Sequence, residues 1–227
     1  TIVDDDGTDF PNASDSQYLS WGGDTDRWAI ISGESGGDDF GVVLPGTAGT
    51  VYTAFAFRVD SVSATAADND IEVFRLGQGT DGSLDIIINI VDGDLNLDDR
   101  NGMTAVQTLE SGIAAGSWRV LAIEANYDTG GANSDITVYE VTSTSANTNL
   151  GGETGFTALR ADGITNYGYG AFIGVPTGTS DIAVSVDEVR VYPNNEVTDT
   201  TDFLNKVGAD YFGSGSASVT GWDLYAF

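Results

Sequence analysis

Gly116-Ser117-Trp118-Arg119-Val120-Leu121-Ala122-Ile123-Glu124 and Ser185-Val186-Asp187-Glu188-Val189-Arg190-Val191-Tyr192 decide how this chain folds. Each is a short run rich in apolar and β-branched residues, which reads as strand rather than helix. In the second, the apolar set Ile182, Val184 and Val186 shifts phase to Val189 and Val191. That shift predicts a bulge near Asp187-Glu188 or a switch between sheets.

Working outward, Val51, Thr53, Phe55, Phe57 and Val59 alternate with Tyr52, Ala54, Ala56 and Arg58, so both faces of this segment are largely apolar, as in a central strand of a sandwich. Ile71 to Leu76 and Leu84 to Val91 follow. Asp92-Gly93 supplies a type I′ hairpin turn, and Asp94 to Leu97 returns from it. Trp118 to Tyr127 pairs antiparallel with Ile136 to Val141 across a turn at Asp128-Thr129-Gly130-Gly131. Gly170 to Val175 and Asp181 to Tyr192 read as a further pair. One short helix is predicted over residues 200–207, capped by Thr200 or Thr201, with Asp202 in its first turn and Gly208 as a left-handed terminator. Ala217 to Phe227 is expected to form a last strand, and residues 1–50 to be largely loop around Tyr18, Trp21 and Trp28. One domain over residues 1–227 is the economical organisation.

Composition acts mainly by exclusion. The chain has no Cys and no His, which removes Ser-His and Cys-His nucleophiles, the usual zinc sites and imidazole bases. Carboxylates, Tyr, Lys and Arg remain. With 35 acidic and 8 basic residues the net charge is -27, which repels phosphate backbones and anionic lipid heads, so neither nucleic acid nor membrane insertion is expected. No run reaches the ~18 apolar residues of a membrane span, and no secretory leader stands at the start. Thr1 at the first position and Met103 as the one Met lead to the expectation of a processed or trimmed chain.

The order of a Trp-led strand, a turn, a Tyr-bearing strand and the late Val186 to Tyr192 strand resembles the laminin-G-like branch of the concanavalin A-like jelly rolls, over roughly residues 50–192. The resemblance implies an all-β sandwich of two antiparallel sheets. It implies packing and framework roles for Trp118 and the late strand. It nominates no site. The family's Tyr-x-x-Gly turn after the Tyr139 strand is replaced by Glu140-Val141-Thr142-Ser143.

Four groups of residues invite a functional reading. Asp68, Asp70 and Glu72 alternate, hence share a face if extended, a spacing similar to that of retaining glucanases of this superfold, although Asp68 stands where a Glu nucleophile is expected. Asp4, Asp6 and Asp9 lie in an Asp-Gly-Thr loop able to bend around structural calcium. Asp92, Asp94, Asn96 and Asp98 lack the Gly that an EF-hand loop needs, and the hairpin accounts for them. Trp21, Trp28, Tyr167, Tyr169 and Trp222 sit in Gly-rich or loop-like contexts; core packing is the first reading for each, and stacking of their flat rings on sugars is the ligand-binding one. The expectation is a non-catalytic exterior module of a virion, appendage or cell envelope. Its partners would be glycans or neighbouring subunits, in a homo-oligomer or larger assembly. The alternative is a carboxylate-dependent polysaccharide hydrolase or lyase.

Overall fold

Residues 49–61 set the architecture, because this strand is buried on both faces. The computed structural model describes residues 2–4, 17–22, 29–32, 49–61, 70–78, 86–91, 93–99, 107–127, 134–156, 169–173, 183–192 and 196–213. In chain order its strands are β1 (Ile2–Asp4), β2 (Gln17–Gly22), β3 (Ala29–Ser32), β4 (Gly49–Ser61), β5 (Asp70–Gln78), β6 (Ile86–Val91) and β7 (Asp94–Asp99). They continue with β8 (Gln107–Glu110), β9 (Trp118–Tyr127), β10 (Ser134–Val141), β11 (Asn147–Phe156), β12 (Tyr169–Ile173) and β13 (Ala183–Tyr192), and α1 (Thr200–Phe212) follows.

The strands form two antiparallel sheets, one of seven in the order β1-β2-β13-β4-β9-β10-β11 and one of six in the order β3-β12-β5-β6-β7-β8. Phe55, Phe57 and Val59 line one buried face of β4, and Tyr52, Ala54 and Ala56 line the other. A strand apolar on both sides needs a layer on each. On one side α1 supplies it, since Phe203, Leu204, Val207 and Tyr211 pack with Tyr52, Ala54, Ala56, Val120, Ala122 and Tyr192. The small residues of the sheet let the helix approach, and the Phe203 ring sits 4.9 Å from Tyr52 and 5.4 Å from Tyr192, centroid to centroid. Contacts of this kind contribute about 1 kcal/mol beyond area burial.

The six-stranded sheet contributes Ile88, Ile90, Leu95 and Leu97, all fully buried, and the register sets Ile88 opposite Leu97 and Ile90 opposite Leu95. At one seam the two sheets meet closely. A Cβ on Gly151 of β11 would lie 3.0 Å from Gln107 Oε1 and 3.2 Å from Leu109 Cδ2 of β8. Arg119 of β9 braces that side, bonding to Glu140 of β10 at 2.7 Å and to Glu110 of β8.

The phase shift in the late strand appears as a break in β13–β4 register between Asp187 and Arg190. The Asp-Gly hairpin joins β6 and β7, with Gly93 at φ 86°. Elsewhere the structure departs from the sequence expectation. The predicted pairing of segments 170–175 and 181–192 does not form, because β12 joins β3 and β5 in one sheet while β13 joins β2 and β4 in the other. Tyr18 and Trp21, expected in loop, belong to β2. The predicted helix is present and runs on to Phe212; Asp199 caps it by accepting from Asp202 N at 2.8 Å, and Asp202 Oδ2 accepts from Thr198 N at 3.0 Å. Gly208 is internal to the helix, where a Cβ would stand 3.0 Å from the backbone of Ser143 and Thr144, so close approach and not termination explains it. The expected strand at residues 217–227 lies outside the described residues.

Two stability outcomes follow. Asp199→Ala removes the acceptor for Asp202 N and is expected to cost about 1 kcal/mol in urea unfolding, with Asp199→Asn retaining most of it. Gly152→Ala places a Cβ 2.0 Å from Ile136 O, a backbone atom of the paired strand, and is expected to cost about 2 kcal/mol or more; an unchanged midpoint would show that β11 yields freely.

Candidate polar face on the six-stranded sheet

The sheet that does not carry α1 brings together the residues best suited to hydrogen-bond a ligand. Successive registers set Glu72 of β5 opposite Asn89 of β6, Asn89 opposite Asn96 of β7, and Asn96 opposite Thr108 of β8. One row therefore crosses four strands. Asn96 alternates with the buried Leu95 and Leu97, so it occupies the face turned away from them, yet it is only 5% exposed. Its amide is held on both sides: Thr108 Oγ1 donates to Asn96 Oδ1 at 3.0 Å, and Asn96 Nδ2 donates to the Asp94 carbonyl at 3.1 Å. Asp94 Oδ1 in turn accepts from Gly112 N at 2.8 Å, tying the hairpin to the segment after β8. Thr108 is exposed and forms the accessible end of the row.

The opposite sheet holds a different kind of polar chemistry. Arg58 Nε pairs with Asp60 Oδ1 at 2.5 Å, Ser185 Oγ donates to Asp60 Oδ2 at 2.6 Å, and the Arg58 guanidinium lies 4.8 Å over the Trp118 ring. Trp118 thus packs, as the resemblance implied, and also carries a cation. Under the helix, Arg190 is 6% exposed, 3.6 Å from Asp210, whose Oδ2 also accepts from Tyr192 Oη at 2.9 Å. Glu124 accepts from Thr200 Oγ1 at 2.9 Å. Burial, and then the charge of Glu124, raise the phenols of Tyr52 and Tyr139 above their ordinary range. These two tyrosines therefore stay neutral and are unsuited to act as bases. For Arg119, burial works against the charge, but hydrogen bonds to Glu140 and Glu110 outweigh it and hold the guanidinium above its usual value.

Only some of the other residues singled out from sequence fall among the described residues. Asp70 and Glu72 lie on β5, while Asp68 is outside the described residues. Asp4 ends β1, whereas Asp6 and Asp9 are outside them. Among the described residues no three carboxylates converge on a metal position. Trp21 is on β2 of the seven-stranded sheet and Tyr169 opens β12 of the six-stranded one, so these two rings belong to different layers. Trp28, Tyr167 and Trp222 lie outside the described residues. Sequence reasoning passed over Asn89 and Thr108 as site residues, and weighed Asn96 only as a calcium ligand before assigning it to the hairpin. The available signal was a polar residue recurring between aliphatic ones, Ile88-Asn89-Ile90 and Leu95-Asn96-Leu97.

No protein-family model and no curated protein matches the chain. Its likeness is to solved structures. The alginate lyase AlgAT5 from Polysaccharide Lyase family 7 superposes with a TM-score of 0.51 at 12% identity, covering 84% of this chain and 81% of that one. The catalytic domain of a GH131 beta-glucanase from Podospora anserina gives 0.46 at 9% identity, covering 85% and 77%, and the heptameric SAP-like pentraxin from Limulus polyphemus gives 0.41 at 14%, covering 82% and 83%. These neighbours are members of the concanavalin A-like lectin and glucanase superfamily. The chain has the concanavalin A-like jelly-roll fold.

Proposed function

We propose that this chain is a non-catalytic glycan-recognition module borne on an exterior surface, of the laminin-G-like kind within its superfold. The observation that carries the proposal is the row Glu72, Asn89, Asn96, Thr108 across β5 to β8. Side-chain amides and hydroxyls both donate and accept hydrogen bonds, which is the dual capacity that sugar hydroxyls require. Asn96, itself held by the Asp94 carbonyl, accepts the proton of the exposed Thr108 hydroxyl and so fixes that hydroxyl's orientation before a ligand arrives, which lowers the ordering cost of binding. Structural calcium at Asp4, Asp6 and Asp9, and assembly through the edge strands β1, β11, β3 and β8, remain compatible additions to this reading.

A hydrolase or lyase is the second reading, motivated by Asp70 and Glu72 standing two residues apart on an interior strand of the same sheet. One experiment separates the two. The purified chain is run in affinity gels containing a panel of soluble polysaccharides, with calcium and with chelator, and the same mixtures are assayed for new reducing ends and for unsaturated uronyl absorbance. Retention without cleavage is expected, and Thr108→Arg, at an exposed site, is expected to reduce retention about tenfold with an unchanged melting temperature. Cleavage that vanishes in Asp70→Asn/Glu72→Gln would replace the binding reading with the enzymatic one.

A further inference from the structure

Resting on the glycan-binding reading, we infer that the polar face of the six-stranded sheet takes an uncharged polysaccharide and discriminates against polyuronates and other anionic glycans. Two independent observations lead there. The first is how the positive charges are engaged. Every Lys or Arg whose side chain is described is already at a carboxylate: Arg58 at Asp60 (2.5 Å), Arg119 at Glu140 (2.7 Å) and Glu110, Arg190 at Asp210 (3.6 Å), and Lys206 at Asp202 (3.7 Å). Arg58, Arg190 and Lys206 pair within the seven-stranded sheet and α1; Arg119 joins that sheet to the edge of the other. An anionic sugar would have to compete with a carboxylate for each of these cations and would leave that carboxylate uncompensated.

The second observation is the composition of the strands that carry this face. The strands of the six-stranded sheet carry Asp70, Glu72, Asp94, Asp98, Asp99 and Glu110 against the single basic residue Arg75. Arg75 is set opposite Ile87, which is opposite Asp98, so it stands one register row along the same face from the Glu72, Asn89, Asn96, Thr108 row, in a row that also holds the carboxylate of Asp98. That polar row offers neutral groups and one carboxylate, with no cation. On a chain of net charge -27 the overall charge opposes the approach of a polyanion. A neutral chain of sugar hydroxyls meets no such opposition. The selectivity is thus the reverse of what the activity of the superposing alginate lyase would suggest if it were carried over with the fold.

Salt provides a readout that simple weak binding does not mimic. Lowering ionic strength from about 0.15 M to about 0.01 M lengthens the Debye distance from ~8 to ~30 Å, so repulsion of a polyanion extends further while hydrogen bonding to a neutral glycan is hardly changed. The test is calorimetric titration in chelator with a neutral β-glucan, a neutral galactomannan, alginate and polygalacturonate at both ionic strengths. Expected is binding of at least one neutral polymer, insensitive to salt and about tenfold or more tighter than either polyuronate. Polyuronate binding that strengthens as salt falls and is lost in Arg75→Gln would overturn the inference and leave the glycan-binding reading standing. Failure of all four polymers to bind a folded sample, in the presence of calcium as well as chelator, would overturn the inference and the reading together.

Discussion

The two-faced burial of β4 is the constraint on which the rest of the structure depends. Phe55, Phe57 and Val59 on one side and Tyr52, Ala54 and Ala56 on the other cannot all leave water unless a layer closes over each face. Apolar strands from the second sheet close one. The other falls to a helix of 13 residues, a length that is marginal alone in water, so its stability comes from the sheet it covers. The exchange is mutual. Phe203 fills the space between Tyr52 and Tyr192, while Ala54, Ala56 and Ala122 keep that part of the sheet flat enough for contact.

Charge imposes the second constraint. A chain with 35 acidic residues and 8 basic ones repels itself, and placing the scarce cations at seams yields the greatest relief of that repulsion. Arg119 shows the arrangement most clearly: it rises from β9, rests 6.0 Å from the Phe57 ring, and bonds to carboxylates of two other strands, one in each sheet. Arg190 does the corresponding work between sheet and helix, with Tyr211 5.1 Å beneath the guanidinium and Asp210 beside it. Buried ion pairs of this kind add little when compared with apolar replacements, but losing one partner leaves a stranded charge and costs about 3–5 kcal/mol. They therefore specify how the layers dock.

These two constraints explain what was legible in the sequence. Strands whose residues are apolar on alternate or on both faces, such as β4, β9 and β10, declare themselves by period, and the register break in β13 was visible as a phase shift from Val186 to Val189. β11 did not declare itself. Asn-Thr-Asn-Leu-Gly-Gly-Glu-Thr-Gly-Phe has neither alternation nor β-branched density, and it is a strand because β10 offers it a partner and because Gly151 and Gly152 fit where a side chain would strike β8 or β10. The placement of β12 was equally hidden, since local pattern identifies a strand without identifying its sheet. The helix showed its start through Asp202, whereas its end was misplaced because Gly208 has the composition of a terminator and the surroundings of a packing contact. Of the candidate site, Asp70 and Glu72 could be found by spacing. Asn89 and Asn96 were marked only as polar residues between aliphatic ones, and their relation to each other and to Thr108 is a register across strands and not a distance along the chain.

The same division of labour explains why function is better sought on one sheet than on the other. Aromatic stacking, buried cations and helix contacts crowd the seven-stranded sheet, and any ligand there would have to displace interactions that hold the layers together. On the six-stranded sheet Ile88, Ile90, Leu95 and Leu97 face the interior and anchor the strands, which leaves the alternate positions outside the core. Polar residues at those positions contribute nothing to burial and cost stability unless they are bonded. Asn96, withdrawn from solvent and bonded on both sides, is therefore the residue whose chemistry the packing of the frame does not explain. A fixed amide beside an exposed hydroxyl is what recognition requires of a rigid scaffold, and here the scaffold's rigidity comes from the layer behind it.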